Sequence, residues 1–211
     1  MKTYRVLFSK KNELIFVSHL DFAHSIIRAL KRAKLPLKYS EGFSPHPKIV
    51  FALPLSVGMT GENEIVDVTL ECDDISNEEF KARLSQSLDG ILEIKDVYEP
   101  DVKLGKVKSA LYTVVIPDFS GKKDEIIKAL ENPATVTKTT KSGKEKELDI
   151  KEMVFAYCAE ENDGNTILSL EISSSGESYL NPELVLKSLC NSGVQVPDEY
   201  DITRNEIRFE K

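Results

Sequence analysis

Ser18-His19-Leu20-Asp21-Phe22-Ala23-His24-Ser25-Ile26-Ile27-Arg28-Ala29-Leu30-Lys31-Arg32-Ala33 reads as one amphipathic helix, and what flanks it decides the fold. Ser18 is a good N-cap, and Asp21 three residues later is an acidic analogue of the capping box. Leu20, Ala23, Ile27 and Leu30 recur at helical spacing and form the expected buried stripe. His24, Arg28 and Lys31 share another face, with Arg32 beside it. Pro36 ends the helix. Tyr4–Lys10 ahead of it alternates weakly and suits a strand, and Ile49–Leu55 behind it is a second, apolar strand.

The pattern continues outward. Gly58 and Gly61 mark a turn, and Glu64–Glu71 alternates as a strand. Ser76 caps a helix over Asn77–Leu88, and Ile91–Tyr98 reads as a strand. This order is β-α-β-β-α-β, the ferredoxin-like unit, over residues 1–99. Residues 100–107 form a polar linker. The order then repeats over 108–211: strand Ala110–Ile116, helix Asp124–Glu131 and a hairpin of Ala134–Thr140 with Lys146–Ile150 around Lys141-Ser142-Gly143. A second hairpin joins Val154–Ala159 to Thr166–Ile172 through Glu161-Asn162-Asp163-Gly164-Asn165. Helix Pro182–Cys190, with Pro182 in its first turn and Gly193 past its end, precedes a closing strand Ile202–Phe209. The expected fold class is α+β, with two tandem ferredoxin-like units, antiparallel sheets, and an extra hairpin in the second.

The 211 residues carry a net charge of −7, which argues against a protein that coats nucleic acid wholesale. The distribution says more than the total. Residues 1–50 hold ten Lys/Arg against three Asp/Glu, a balance of +7, and the remaining residues balance to −14. A basic patch on an acidic chain can dock phosphates or an acidic partner, or it can complement the chain's own acidic half. No apolar run approaches the roughly 20 residues of a membrane helix. The opening Met1-Lys2-Thr3-Tyr4-Arg5 has no signal-peptide core behind it, so a cytoplasmic location is expected. Cys72, Cys158 and Cys190 are odd in number and far apart, so neither a disulfide framework nor a metal knuckle is expected.

Between helix and second strand lies Tyr39-Ser40-Glu41-Gly42-Phe43-Ser44-Pro45-His46-Pro47-Lys48. Its prolines bias Ser44 and His46 toward extended backbone and lower the entropy cost of one loop shape. Gly42 permits a positive φ. Function-bearing loops have this composition, and so do stiff connections. Arg28, Lys31, Arg32, Lys34, Lys38 and Lys48 alternate here with Tyr39 and Phe43. Arginine forks match phosphates, and rings stack on unpaired bases. All three histidines lie between His19 and His46. His19 and His24 diverge by about 140° around a helix, so they are poor co-ligands and no metal is expected. His19, His46 and Tyr39 remain candidates for acid–base chemistry. We expect the loop to pack beside the helix N-terminus, forming one concave, anion-binding site with His19, Asp21 and Arg28.

Phe16-Val17-Ser18-His19-Leu20-Asp21, then Arg28–Pro36, then Tyr39–Gly58 resemble the signature of the bacterial radical-SAM-linked proteins, a family carrying a domain of unknown function. The matching block covers about residues 4–70. Members are encoded beside, or fused behind, a radical SAM protein with a cobalamin-binding-like region. The resemblance implies an accessory protein without cofactors of its own. Its radical SAM partner would carry S-adenosylmethionine and an iron–sulfur cluster and act on ribosomal or transfer RNA. RNA would bind through His19, Asp21, Arg28, Lys31, Arg32, Lys38, Tyr39, Ser40, Gly42, Phe43, Ser44, His46 and Lys48. A protein-only adaptor for the radical SAM partner is one alternative. The double layout is also similar to endoribonucleases that trim CRISPR repeat RNA, some of them metal-independent. That makes a metal-independent ribonuclease using His19 or His46 the other alternative, although Ser174-Ser175-Gly176-Glu177 departs from their glycine-rich loop.

Overall fold

The computed structural model describes residues 1–139 and 145–210. The chain is a mixed α+β protein of two compact units, Met1–Val107 with Phe209 and Glu210, and Lys108–Arg208. In unit one, β1 (Lys2–Lys10), α1 (His19–Arg32), β2 (Ile49–Phe51), β3 (Thr60–Leu70), α2 (Asn77–Leu88) and β4 (Glu93–Tyr98) follow in that order. β1 lies between β3 and β4, and β2 pairs with β3, all antiparallel. Unit two contains β5 (Val107–Ile116), α3 (Lys123–Glu131), β6 (Val136–Thr139), β7 (Glu145–Leu148), β8 (Val154–Asn162), β9 (Asn165–Ser173), α4 (Pro182–Asn191) and β10 (Asp201–Phe209). Its strands run in the order β10, β5, β9, β8, while β6 and β7 pair apart as a hairpin. The expected turn at Lys141-Ser142-Gly143 lies outside the described residues. Asp163 and Gly164 both take positive φ, 50° and 83°, and make the two-residue turn between β8 and β9.

The caps behave as read. Ser18 Oγ accepts from the Asp21 amide and donates to its carboxylate, and Ser76 Oγ accepts from the Glu79 amide. Period-two alternation puts Tyr4, Val6 and Phe8 of β1 on one sheet face with Val66, Val68 and Leu70 of β3. There they meet Phe22, Ile26, Ala29 and Leu30 of α1 and Phe80, Leu84 and Leu88 of α2. Tyr4 stacks on Phe80 at 4.8 Å, and Phe8 on Phe22 at 5.5 Å.

Three expectations need correction. The buried stripe of α1 is Phe22, Ile26, Ala29 and Leu30, not Leu20, Ala23, Ile27 and Leu30; Leu20 is 70% exposed. Both stripes have helical period, and they differ by about 100° of rotation. Phe22 settles the choice, because its ring fills the space against Phe8 and Phe51. The second strand stops at Phe51 rather than Leu55, short of Pro54, which has no N–H to pair. β4 begins at Glu93 rather than Ile91, after Gly90 at φ 75°.

Glu62 in β3 lies 2.8 Å from Lys11 Nζ and 3.3 Å from Lys95 Nζ. The hydrogen bond from Lys11, foremost, and then that from Lys95 hold its carboxyl below the ordinary value near 4.5. A depressed carboxylate contributes stability that is present above the unfolded-state value and lost as pH falls through the folded one. We expect Glu62→Gln to cost less than about 1 kcal/mol near neutral pH, the scale of a partly exposed pair. The difference from wild type should shrink below about pH 4.5. Urea midpoints measured from pH 3 to 7 check this, and a difference that grows with acid contradicts it.

Candidate nucleic-acid interface

Residues 37–48 leave α1 and fold back as a hairpin continuing the end of the sheet. The Lys38 amide donates to Thr69 O, the Thr69 amide to Lys48 O, and the Lys48 amide to Lys38 O at 2.7 Å. Tyr39 bridges Pro47, and the Ser40 amide donates to His46 O. Glu41–Ser44 form the tip, where Gly42 takes φ 147°, a region that favours glycine. The Phe43 ring at this tip is fully exposed.

Ser40 Oγ accepts from the His46 amide and lies 3.0 Å from His46 Nδ1, which is 3.3 Å from Ser44 O. The ring is oriented through its Nδ1 side and keeps Nε2 for another partner. Lys31 Nζ lies 5.8 Å from the centroid of the half-buried Tyr39 ring, joining the hairpin to α1. A cavity of about 400 Å³ opens here, lined by Lys38, Tyr39, Ser40, His46 and Lys48 among others.

The expected single concave site does not form. His19 packs edge-on against Phe51 with ring centroids 5.1 Å apart. Lys31, whose ammonium group lies against the Tyr39 ring, is twelve residues further along α1, about 18 Å at 1.5 Å per residue. Asp21 stays at the helix N-terminus as partner of the Ser18 hydroxyl. Arg28 and Arg32 turn to the opposite flank of α1, toward α2, where Arg32 Nη2 donates to Ser87 O at 2.8 Å. The structure therefore gathers Lys31, Lys38, Tyr39, Ser40, Gly42, Phe43, Ser44, His46 and Lys48, and leaves His19, Asp21, Arg28 and Arg32 elsewhere. The cause is the rotated buried stripe, together with the β2 register, Ile49 opposite Val68, which carries the hairpin away from the helix N-terminus. His19 and Tyr39 consequently do not form one acid–base pair.

The electrostatics bear on whether the basic patch serves the chain itself. Lys2 meets Glu99 at 2.5 Å, Arg5 meets Asp67 at 2.7 Å and Lys11 meets Glu62. Lys10 is buried, with Nζ donating to Val17 O. No ion pair among the described residues involves Arg28, Lys31, Arg32, Lys34, Lys38 or Lys48. Internal complementation accounts for the first group and not for these six. Cys72 is half-buried, and Cys158 and Cys190 are exposed and free. Among the described residues, no group of three His, Cys, Asp or Glu could hold a metal ion, and no helix is long and apolar enough to cross a membrane.

Sequence reasoning missed two features. One is the groove holding Arg28 and Arg32, whose walls come from residues more than fifty positions apart. The other is Arg5, only 1% exposed although it sits in a strand with an apolar face. Neither leaves a periodic signal.

The chain has no match among curated proteins. A solved structure of a Cbf5–Nop10–Gar1 complex aligns with 97% of this chain at 11% identity and a TM-score of 0.51; the chain spans 48% of that one, and the likeness is one of fold. A protein described as unknown, from Galdieria sulphuraria, aligns with 100% of this chain and 99% of its own at 12% identity, with a TM-score of only 0.28. Residues 3–182 match the family described as "Uncharacterized protein conserved in bacteria (DUF2344)", and the chain belongs to that family.

Proposed function

We propose that this protein is an RNA-binding accessory subunit of a radical SAM system, built from two ferredoxin-like units. Single-stranded RNA would lie on the hairpin of residues 38–48. The observation that carries the reading is the fully exposed Phe43 ring at the tip of a hairpin whose base carries Lys38 and Lys48, cations that no carboxylate among the described residues neutralises. A ring takes a base by its face, and flanking ammonium groups take the phosphates on either side. His46 Nε2 adds a hydrogen-bonding group within the same surface. The β-α-β-β-α-β order of unit one, and the same order in unit two once the separate β6–β7 hairpin is set aside, support the ferredoxin-like assignment. The radical SAM link rests on the resemblance of the Phe16–Gly58 block.

Binding of a labelled single-stranded RNA of about 20 nucleotides, followed by fluorescence anisotropy, tests the reading. Phe43→Ala should weaken it by about 1–3 kcal/mol, the worth of one stacked base, with little change in its salt dependence. Phe43 makes no packing contact in the core, so stability should stay the same. Equal affinity for wild type and Phe43→Ala would remove the hairpin tip from the interface.

A further inference from the structure

We propose that the groove between α1 and the α2–β4 turn is a docking site for a partner protein, taking a segment that presents large apolar side chains beside carboxylates. This groove lies on the flank of α1 away from the hairpin, so the proposal goes beyond the RNA reading and does not depend on it. It encloses about 290 Å³. Val17, Phe22, Ile26, Leu88 and Leu92 make an apolar floor. Ile91 stands at the rim, 69% exposed, on the turn that Gly90 makes at positive φ. An isoleucine left that open beside an apolar cavity gains by being covered.

The opposite rim carries Arg28 and Arg32. They are four residues apart on α1, so their side chains share one face. Arg32 is steadied by its bond to Ser87 O and Arg28 by its bond to His24 O, and both remain exposed. Two like charges one turn apart repel, and a carboxylate between them turns that repulsion into two attractions. The apolar floor and cationic rim together complement an acidic, apolar segment. RNA suits the groove poorly. Its floor is mostly aliphatic, offering few faces for a base to stack on, and the hydroxyl of Ser25, its one uncharged polar side chain, is engaged with Asp21 O.

The probe is a fluorescein-labelled helical peptide of about twelve residues, with two leucines one turn apart, each followed by glutamate. One control carries lysine for the glutamates, the other serine for the leucines. The leucine–glutamate peptide should bind the full chain at least about tenfold more tightly than either control, the sum of two modest ion pairs or of the leucine burial. Amide shifts in NMR spectra should move around Val17, Ile26 and Leu92. The Arg28→Glu, Arg32→Glu chain, altered only at exposed positions, should prefer the lysine peptide. Ile91→Asp should abolish peptide binding while the amide spectrum of the rest of unit one stays as in wild type. No binding at millimolar peptide, equal binding of all three peptides, or an unchanged preference after charge reversal would overturn the proposal.

Discussion

Asp67→Ala should cost unit one about 3–5 kcal/mol, the penalty for stranding a buried charge by removing its partner. Arg5 is 1% exposed. Its Nε and Nη2 donate to the two Asp67 carboxylate oxygens at 2.7 and 2.9 Å, a bidentate pair, and Nη2 also donates to Val102 O at 2.7 Å. The Phe209 ring lies 5.0 Å from the guanidinium carbon. Burial works against the guanidinium charge, and the hydrogen bond and charge of Asp67 outweigh it, so the affinity of Arg5 for its proton rises. One arginine thus ties β1 to β3 and to the connection after β4. Removing Asp67 leaves the buried cation without its hydrogen-bonded counter-charge. Amide exchange at β1 and β3 measures the loss within unit one, which suits a chain of two units better than a single melting midpoint. Arg5→Met with Asp67→Leu removes both charges and should recover most of the stability, because an apolar replacement leaves nothing unpaired. A loss below about 1 kcal/mol for Asp67→Ala would mean that water solvates the pair.

Replacing Lys31, Lys38 and Lys48 together by Ala should weaken single-stranded RNA binding about 100-fold at 0.1 M salt. It should also lower the slope of log affinity against log salt by about 2. Both figures follow from counterion release. Each phosphate neutralised on a single strand contributes about 0.7 to the slope, and three contribute about 2, or two decades at 0.1 M relative to 1 M. The three lysines meet no carboxylate among the described residues, and Lys31 and Lys48 are exposed, so their loss leaves no buried charge behind. Phe43→Ala should lower affinity without this change of slope, which separates stacking from phosphate contacts. Affinity and slope unchanged in the triple variant would place any RNA contact elsewhere on the chain.

Local chemistry by itself determined much of this protein. Ser18 and Ser76 cap helices because a hydroxyl beside free amides needs no distant partner. Asp163-Gly164 makes its turn because those residues accept positive φ. The bounds of α2 follow from its cap and periodicity alone. Charge distribution located the basic segment, and Gly42 took the positive φ that its position in the loop invited.

Only the tertiary structure decided which way α1 faces. Leu20 and Phe22 are both apolar at plausible positions, and the choice belongs to Phe8 and Phe51, the rings that Phe22 must meet. That rotation of about 100° then sorted the polar residues, sending Arg28 and Arg32 to one flank and Lys31 to the other, beside Tyr39. The pairing of Arg5 with Asp67 and the groove closed by Leu88 and Leu92 likewise needed three dimensions. Residues far apart in sequence carry no local propensity for one another, and only packing of the sheet against its helices brings them into contact.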